Sequence, residues 1–135
     1  MDKIIEMTRA LGRAIQQDER YQRYMTAQEA NDSDSTLQEL IATFEIKRNS
    51  LSAEVQKDDK DTEKIKELDS EVKSIYRQIF ENENMIAFTE AREEMQEMIG
   101  FVNQIITGSS NGQNPDTIEQ AAACGGSCSS CAGCA

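Results

Sequence analysis

The chain reads as an all-α protein: a three-helix bundle with a very long third helix, an intertwined dimer, and a flexible C-terminal tail. Three observations lead there. Apolar residues recur at three- and four-residue steps from Ile4 to Ile106, the period of a helix with one buried face. Nothing before Thr107 forces a break except Gly12 and Gly100, and the only proline is Pro115. From Gly108 the composition turns to Gly-Ser-Ser-Asn-Gly-Gln-Asn-Pro, and four cysteines follow in a Gly/Ser/Ala background. The 135 residues amount to one domain's worth of chain. They divide into a helical domain over 1–107, a linker over 108–123 with a short helical run from Asp116 to Ala123, and a cysteine-rich tail over 124–135.

The first helical segment places Ile4, Met7, Leu11, Ala14 and Ile15 on one face. Tyr21, Tyr24, Met25 and Ala27 continue it or bend away near Gln17–Asp18, and the polar cluster Asn31-Asp32-Ser33-Asp34 ends it. Ser35 with Gln38 three residues on resembles a capping box for a second helix. That helix carries Leu37, Leu40, Ile41, Phe44, Leu51 and Val55 and stops in Lys57-Asp58-Asp59-Lys60. Asp61 is the expected N-cap of the third. This helix runs through Ile65, Leu68, Val72, Ile75, Tyr76, Ile79 and Phe80. Its stripe lapses at Glu81–Asn84 and resumes in a shifted phase at Phe88, Met95, Ile99, Val102 and Ile106.

Length makes the third helix unusual. As one rod, residues 61–107 would span roughly 70 Å, whereas a compact domain of this size is nearer ~35 Å across. The second helix covers only its first half. An apolar stripe left wet forfeits about 1.5–3 kcal/mol per large side chain, so another helix is expected to cover the rest. The first helix and a second copy of the chain are the candidates, and a homo-oligomer is expected. A kink at Glu81–Asn84 in an ordinary monomeric bundle is the alternative.

Charge narrows the function. The chain has 25 acids against 14 bases, a net charge of −11. That balance opposes direct nucleic-acid binding, which needs clustered Lys and Arg, and docking on an anionic membrane surface. No apolar run reaches the length of a membrane span, and Met-Asp-Lys-Ile-Ile-Glu has none of the layout of a signal peptide. A cytoplasmic location is expected. There is no histidine, so no Ser-His or Cys-His pair and no imidazole ligand. No phosphate loop or paired-acid motif stands out, and no catalytic residue is assigned. Glu90, Glu93, Glu94 and Glu97 form an acidic face that is either solvated or docks a basic partner. The six methionines, Met85, Met95 and Met98 among them, read as core filling or as an adaptable surface. Tyr21 and Tyr24 read as packing residues between helices. Gly12 either permits close helix approach or is merely tolerated.

The tail carries the distinct chemistry. Cys124, Cys128, Cys131 and Cys134 read C-x3-C-x2-C-x2-C, four thiols within eleven residues. Small neighbours let the backbone fold tightly around an ion or cluster. Soft thiolates select zinc or iron–sulfur over hard cations. Structural zinc sites usually pair two C-x2-C knuckles across a longer loop. A contiguous run is nearer to cluster ligation, and its gaps are those of the bacterial ferredoxin run in reverse order, without the following proline. The first three cysteines also match the C-x3-C-x2-C of radical enzymes that use S-adenosylmethionine, but the chain has no room for their barrel. An iron–sulfur cluster, of 4Fe–4S type or shared with a partner, is the leading reading. Zinc is the second, with disulfides and a redox-reactive tail behind.

Residues Ala10-Leu11-Gly12-Arg13-Ala14-Ile15, then Tyr21 and Tyr24, then Asp34 followed by Leu37, Leu40-Ile41 and Phe44, resemble the YlbF/YmcA family of bacterial regulators. The resemblance covers about residues 1–107, and some family members end in a similar Cys-Gly-Gly-rich segment. It implies an all-helical, dimeric or larger protein. Several members act as accessory factors in a complex that redirects the endoribonuclease RNase Y, influences competence, sporulation and biofilm formation, and is associated with iron–sulfur clusters. The expected partners are thus other family members and an RNase Y-type complex. The expected role is that of a non-catalytic regulatory adaptor. The rivals are a small iron–sulfur or zinc carrier or redox protein with a helical oligomerisation domain, and a hairpin-type helical co-chaperone, which leaves the tail unexplained.

Overall fold

The computed structural model describes residues 2–121. They form five α-helices: α1 (Lys3–Gln17), α2 (Glu19–Ser33), α3 (Ser35–Val55), α4 (Thr62–Glu81) and α5 (Glu83–Ser110), followed by a single 3-10 turn at Pro115–Thr117. The chain is all-helical, as expected, but the expected three helices are five. The first segment breaks at Asp18 and the long third helix at Asn82.

The breaks share one cause. Each helix begins on an Asx side chain whose oxygen accepts backbone N–H groups that the first turn cannot satisfy. Asp2 accepts from Ile4 at 3.0 Å, Asp18 from Arg20 at 2.8 Å and Asp34 from Leu37 at 3.0 Å. Asp61 accepts from Glu63 and Lys64. Asn82 accepts from Asn84 at 2.8 Å and Met85 at 3.1 Å. Asp18, Asp34 and Asn82 also end the preceding helix, their own N–H groups bonding the carbonyls of Ile15, Asn31 and Ile79. One residue thus stops one helix and starts the next. The N-cap of α3 is Asp34 rather than Ser35. Gln38 does not close a capping box; its side-chain amide donates to the Asn31 carbonyl at 2.9 Å.

Two compact units divide at Met95/Gln96. In the first, α3 and α4 form an antiparallel hairpin. Lys47 pairs with Glu71 at 2.8 Å, and Phe44 faces Tyr76 with ring centroids 6.1 Å apart. The turn between them is pinned by Glu54, only 4 % exposed, which accepts from Lys57 at 2.8 Å and from the Asp61 N–H at 3.2 Å. The first turns of α5 run antiparallel to α2: Arg23 pairs with Glu94 at 3.0 Å, Tyr24 meets Phe88 and Asn31 meets Met85. Leu37 is fully buried, with Leu68, Ile79, Ala27 and Ala91 nearly so.

α1 buries no residue. Ile4 is 73 % and Met7 62 % exposed. The length of a continuous third helix no longer argues for self-association, because that rod is broken at Asn82. The uncovered face of α1 takes its place.

In the second unit, helix α5 continues to Ser110, and residues 111–121 turn back along it. Gly112, at φ +85°, makes the reversal in the left-handed region that suits glycine. The short helical run expected over Asp116–Ala123 is a 3-10 turn at Pro115–Thr117 instead, started by the Asn114 side chain accepting from the Asp116 N–H.

Candidate functional site

The four cysteines singled out for metal or cluster ligation, Cys124, Cys128, Cys131 and Cys134, lie outside the described residues, as do Ala122 and Ala123. The donor set can be judged by its chemistry. Four thiols and no imidazole or carboxylate between them suit a soft ion or an iron–sulfur cluster, not a hard cation. Among the described residues, no group of three or more Asp, Glu, Cys or His side chains is placed to hold a metal ion.

What the described residues build is a polar node that joins two helix junctions. Asp34 lies between α2 and α3, and Asn82 between α4 and α5. Arms of 21 and 20 residues bring the ends of the α3–α4 hairpin level. One Asp34 carboxylate oxygen accepts from the Leu37 N–H. The other accepts from Asn82 Nδ2 at 3.1 Å and Asn84 Nδ2 at 3.0 Å. The Leu37 N–H, then the Asn82 and Asn84 amides, hold the Asp34 carboxyl below its ordinary range. Beside it, Asn31 Nδ2 donates to Met85 Sδ at 3.4 Å. Asp34 is visible in the sequence as an acid before a helix. Its partners Asn82 and Asn84 lie where the apolar stripe lapses, and nothing local marks them as its ligands.

The remaining candidates resolve individually. Glu94 of the acidic face is spent on Arg23, while Glu90, Glu93 and Glu97 are exposed. Tyr24 packs on Phe88, as expected of an interhelical residue. Among the described residues, Gly12 has nothing within 4 Å of where a Cβ would stand, so close approach to them is not its role. Asp18 is held far below the usual carboxylate range by the Arg20 side chain, then by the Arg20 N–H. The same carboxylate caps α2 at the α1–α2 junction.

Three concavities are open grooves. One, of about 680 Å³, lies on the α3–α4 hairpin over Phe44, Tyr76 and Phe80. Another, of about 510 Å³, follows the α2–α5 seam and is lined by Ala27, Ala30, Ala87 and Ala91 among others. The third, of about 830 Å³, lies in the second unit and is lined mostly by amides and hydroxyls. No helix among the described residues is long and apolar enough to cross a membrane.

These features define an all-helical protein with apolar side chains at its surface and helix junctions set by Asx caps. The family described as "Control of competence regulator ComK, YlbF/YmcA" matches over residues 4–109, from α1 to the last turn of α5. The chain belongs to that family. Comparison with curated proteins and with solved structures returns no significant match.

Proposed function

We propose that the chain is a self-associating, non-catalytic regulatory adaptor in a complex that modulates RNase Y-dependent mRNA processing, and thereby competence, sporulation or biofilm formation. Family membership over residues 4–109 carries this reading, since that family is described by its control of a competence regulator. The exposed face of α1 supports self-association: large apolar side chains at the surface are stabilised by a partner that removes them from water. The net charge of −11 favours a protein partner over RNA. Cys124, Cys128, Cys131 and Cys134 ligate an iron–sulfur cluster, held by one chain or shared with a partner. Zinc is the second choice.

A second reading, a small iron–sulfur or zinc carrier on a helical oligomerisation domain, is favoured by the contiguous run of soft ligands. One experiment separates them. The protein is co-purified anaerobically from its native cell, and transcript ends are mapped in a strain whose four tail cysteines are serine. The adaptor reading expects a brown complex absorbing near ~400 nm, and loss of specific cleavages in the serine strain with the helical body still folded. A colourless complex whose metal survives air points to zinc. Unchanged transcript ends in both the serine strain and a strain lacking residues 124–135 remove the ribonuclease reading and leave the carrier.

A further inference from the structure

The residues after α5 return along the helix and bring Ala121, the last described residue, to a particular place. Gly108 is buried, and a Cβ there would meet Gln113 Oε1 and Ile118 Cδ1, each at 2.6 Å. The Gln113 N–H donates to the Gly108 carbonyl at 3.0 Å, and the Ala121 N–H to Gln104 Oε1 at 3.2 Å. Gln104 lies six residues before the end of α5, so the chain departs about 9 Å back from that end. At this spot is the concavity of about 830 Å³, lined among others by Gly100, Asn103, Gln104, Thr107, Gln113 and Asn114.

We propose that this concavity seats the chain's own cysteine segment, residues 122–135, in its metal-loaded form. The inference rests on the thiolate reading above. Cys124 is three residues beyond Ala121, so its Cα lies within about 11 Å of that residue. Charge selects the surface. From Met98 to Pro115 there is no charged residue, in a chain of which 29 % is charged. Four thiolates around a divalent ion form an anion, which the acids at Glu90, Glu93 and Glu97 repel. Asn, Gln and Thr side chains supply neutral N–H and O–H donors for sulfur. Glu119 is the one carboxylate among the lining residues. The negative end of the α5 dipole is muted, because the Thr107, Gly108 and Ser109 carbonyls accept from Asn111, Gln113 and Gly112 N–H groups. Gly108 and Ile118 are therefore positioning residues for the tail.

The test uses the full chain, isotope-labelled for amide NMR and loaded with cobalt(II) alone or zinc(II) alone. Cobalt–thiolate absorption reports whether the cysteines bind. The proposal expects that band, with the amide signals of Asn103, Gln104 and Thr107 broadened away by cobalt but not by zinc. Ile118→Asp and, separately, Gly108→Leu should keep the band and restore the α5 signals. A cobalt–thiolate band with Gln104 still sharp in the unaltered chain overturns the docking proposal and leaves the thiolate site standing. Absence of the band overturns both. A labelled chain with all four cysteines replaced by serine is also mixed with unlabelled cobalt-loaded chain. Broadening at Gln104 in that mixture means that another copy's tail fills the concavity, and overturns the assignment to the chain's own.

Discussion

Placing one carboxylate on α1 should dissolve the assembly without unfolding the chain. Ile4, Met7 and Leu11 share a face of α1, a helix that buries no residue, with Ile4 73 % and Met7 62 % exposed. Full burial of such a side chain contributes about 1.5–3 kcal/mol, so covering the exposed share of Met7 is worth about 1–2 kcal/mol. Met7→Asp removes that gain and forces a charge against apolar surface. At 1.4 kcal/mol per factor of ten, the dissociation constant should rise at least about tenfold. Light scattering coupled to size exclusion should give the unaltered protein at least twice the 15.1 kDa chain mass at micromolar concentration. Across a dilution series the variant should fall to the chain mass at a concentration at least about tenfold higher than the unaltered protein does, while its far-ultraviolet circular dichroism keeps full helicity. A fully helical monomer for the unaltered protein refutes self-association. A Met7→Asp protein that holds the unaltered mass refutes α1 as the covered face.

The core and the polar node give two further expectations. Leu37 is fully buried, so Leu37→Ala should cost about 3–5 kcal/mol and lower the thermal midpoint by about 10–20 °C; a shift under ~3 °C would mean that the site collapses around the loss or is not core. Acid should weaken the fold through Asp34, held low by the Leu37 N–H and the Asn82 and Asn84 amides, and Glu54, held low by the Lys57 side chain and the Asp61 N–H. A carboxyl that binds its proton less readily folded than unfolded contributes stability that is complete above the unfolded value near about 4 and is lost as pH falls from there through the folded value. Thermal unfolding between pH 7 and pH 3 should show that loss, and Asp34→Asn should flatten it. An unchanged acid slope in Asp34→Asn would assign the loss to other carboxyls.

Local signals sufficed wherever a helix is decided by its own residues. The 3.6-residue apolar period, the turn before Asp61 and the Asp61 cap are all local, and the structure has them where the sequence reading puts them. The breaks at Asp18 and Asn82 fall where the sequence leaves a bend near Gln17–Asp18 and a kink at Glu81–Asn84 open; local signals do not decide them, because an Asx residue that ends one helix while capping the next leaves no gap in the helical pattern. Three things depended on tertiary structure. Asp34 finds Asn82 and Asn84 because the two hairpin arms are nearly equal in length, a distance condition that no window of sequence contains. The bareness of α1 is decided by which helices the rest of the chain packs together, since its stripe looks the same whether covered or not. The run from Gly108 has a linker's composition, yet it turns back on α5 because Gly108, lacking a Cβ, leaves room for the Ile118 side chain. Composition carries the freedom of a backbone, and only packing shows whether a neighbour uses it.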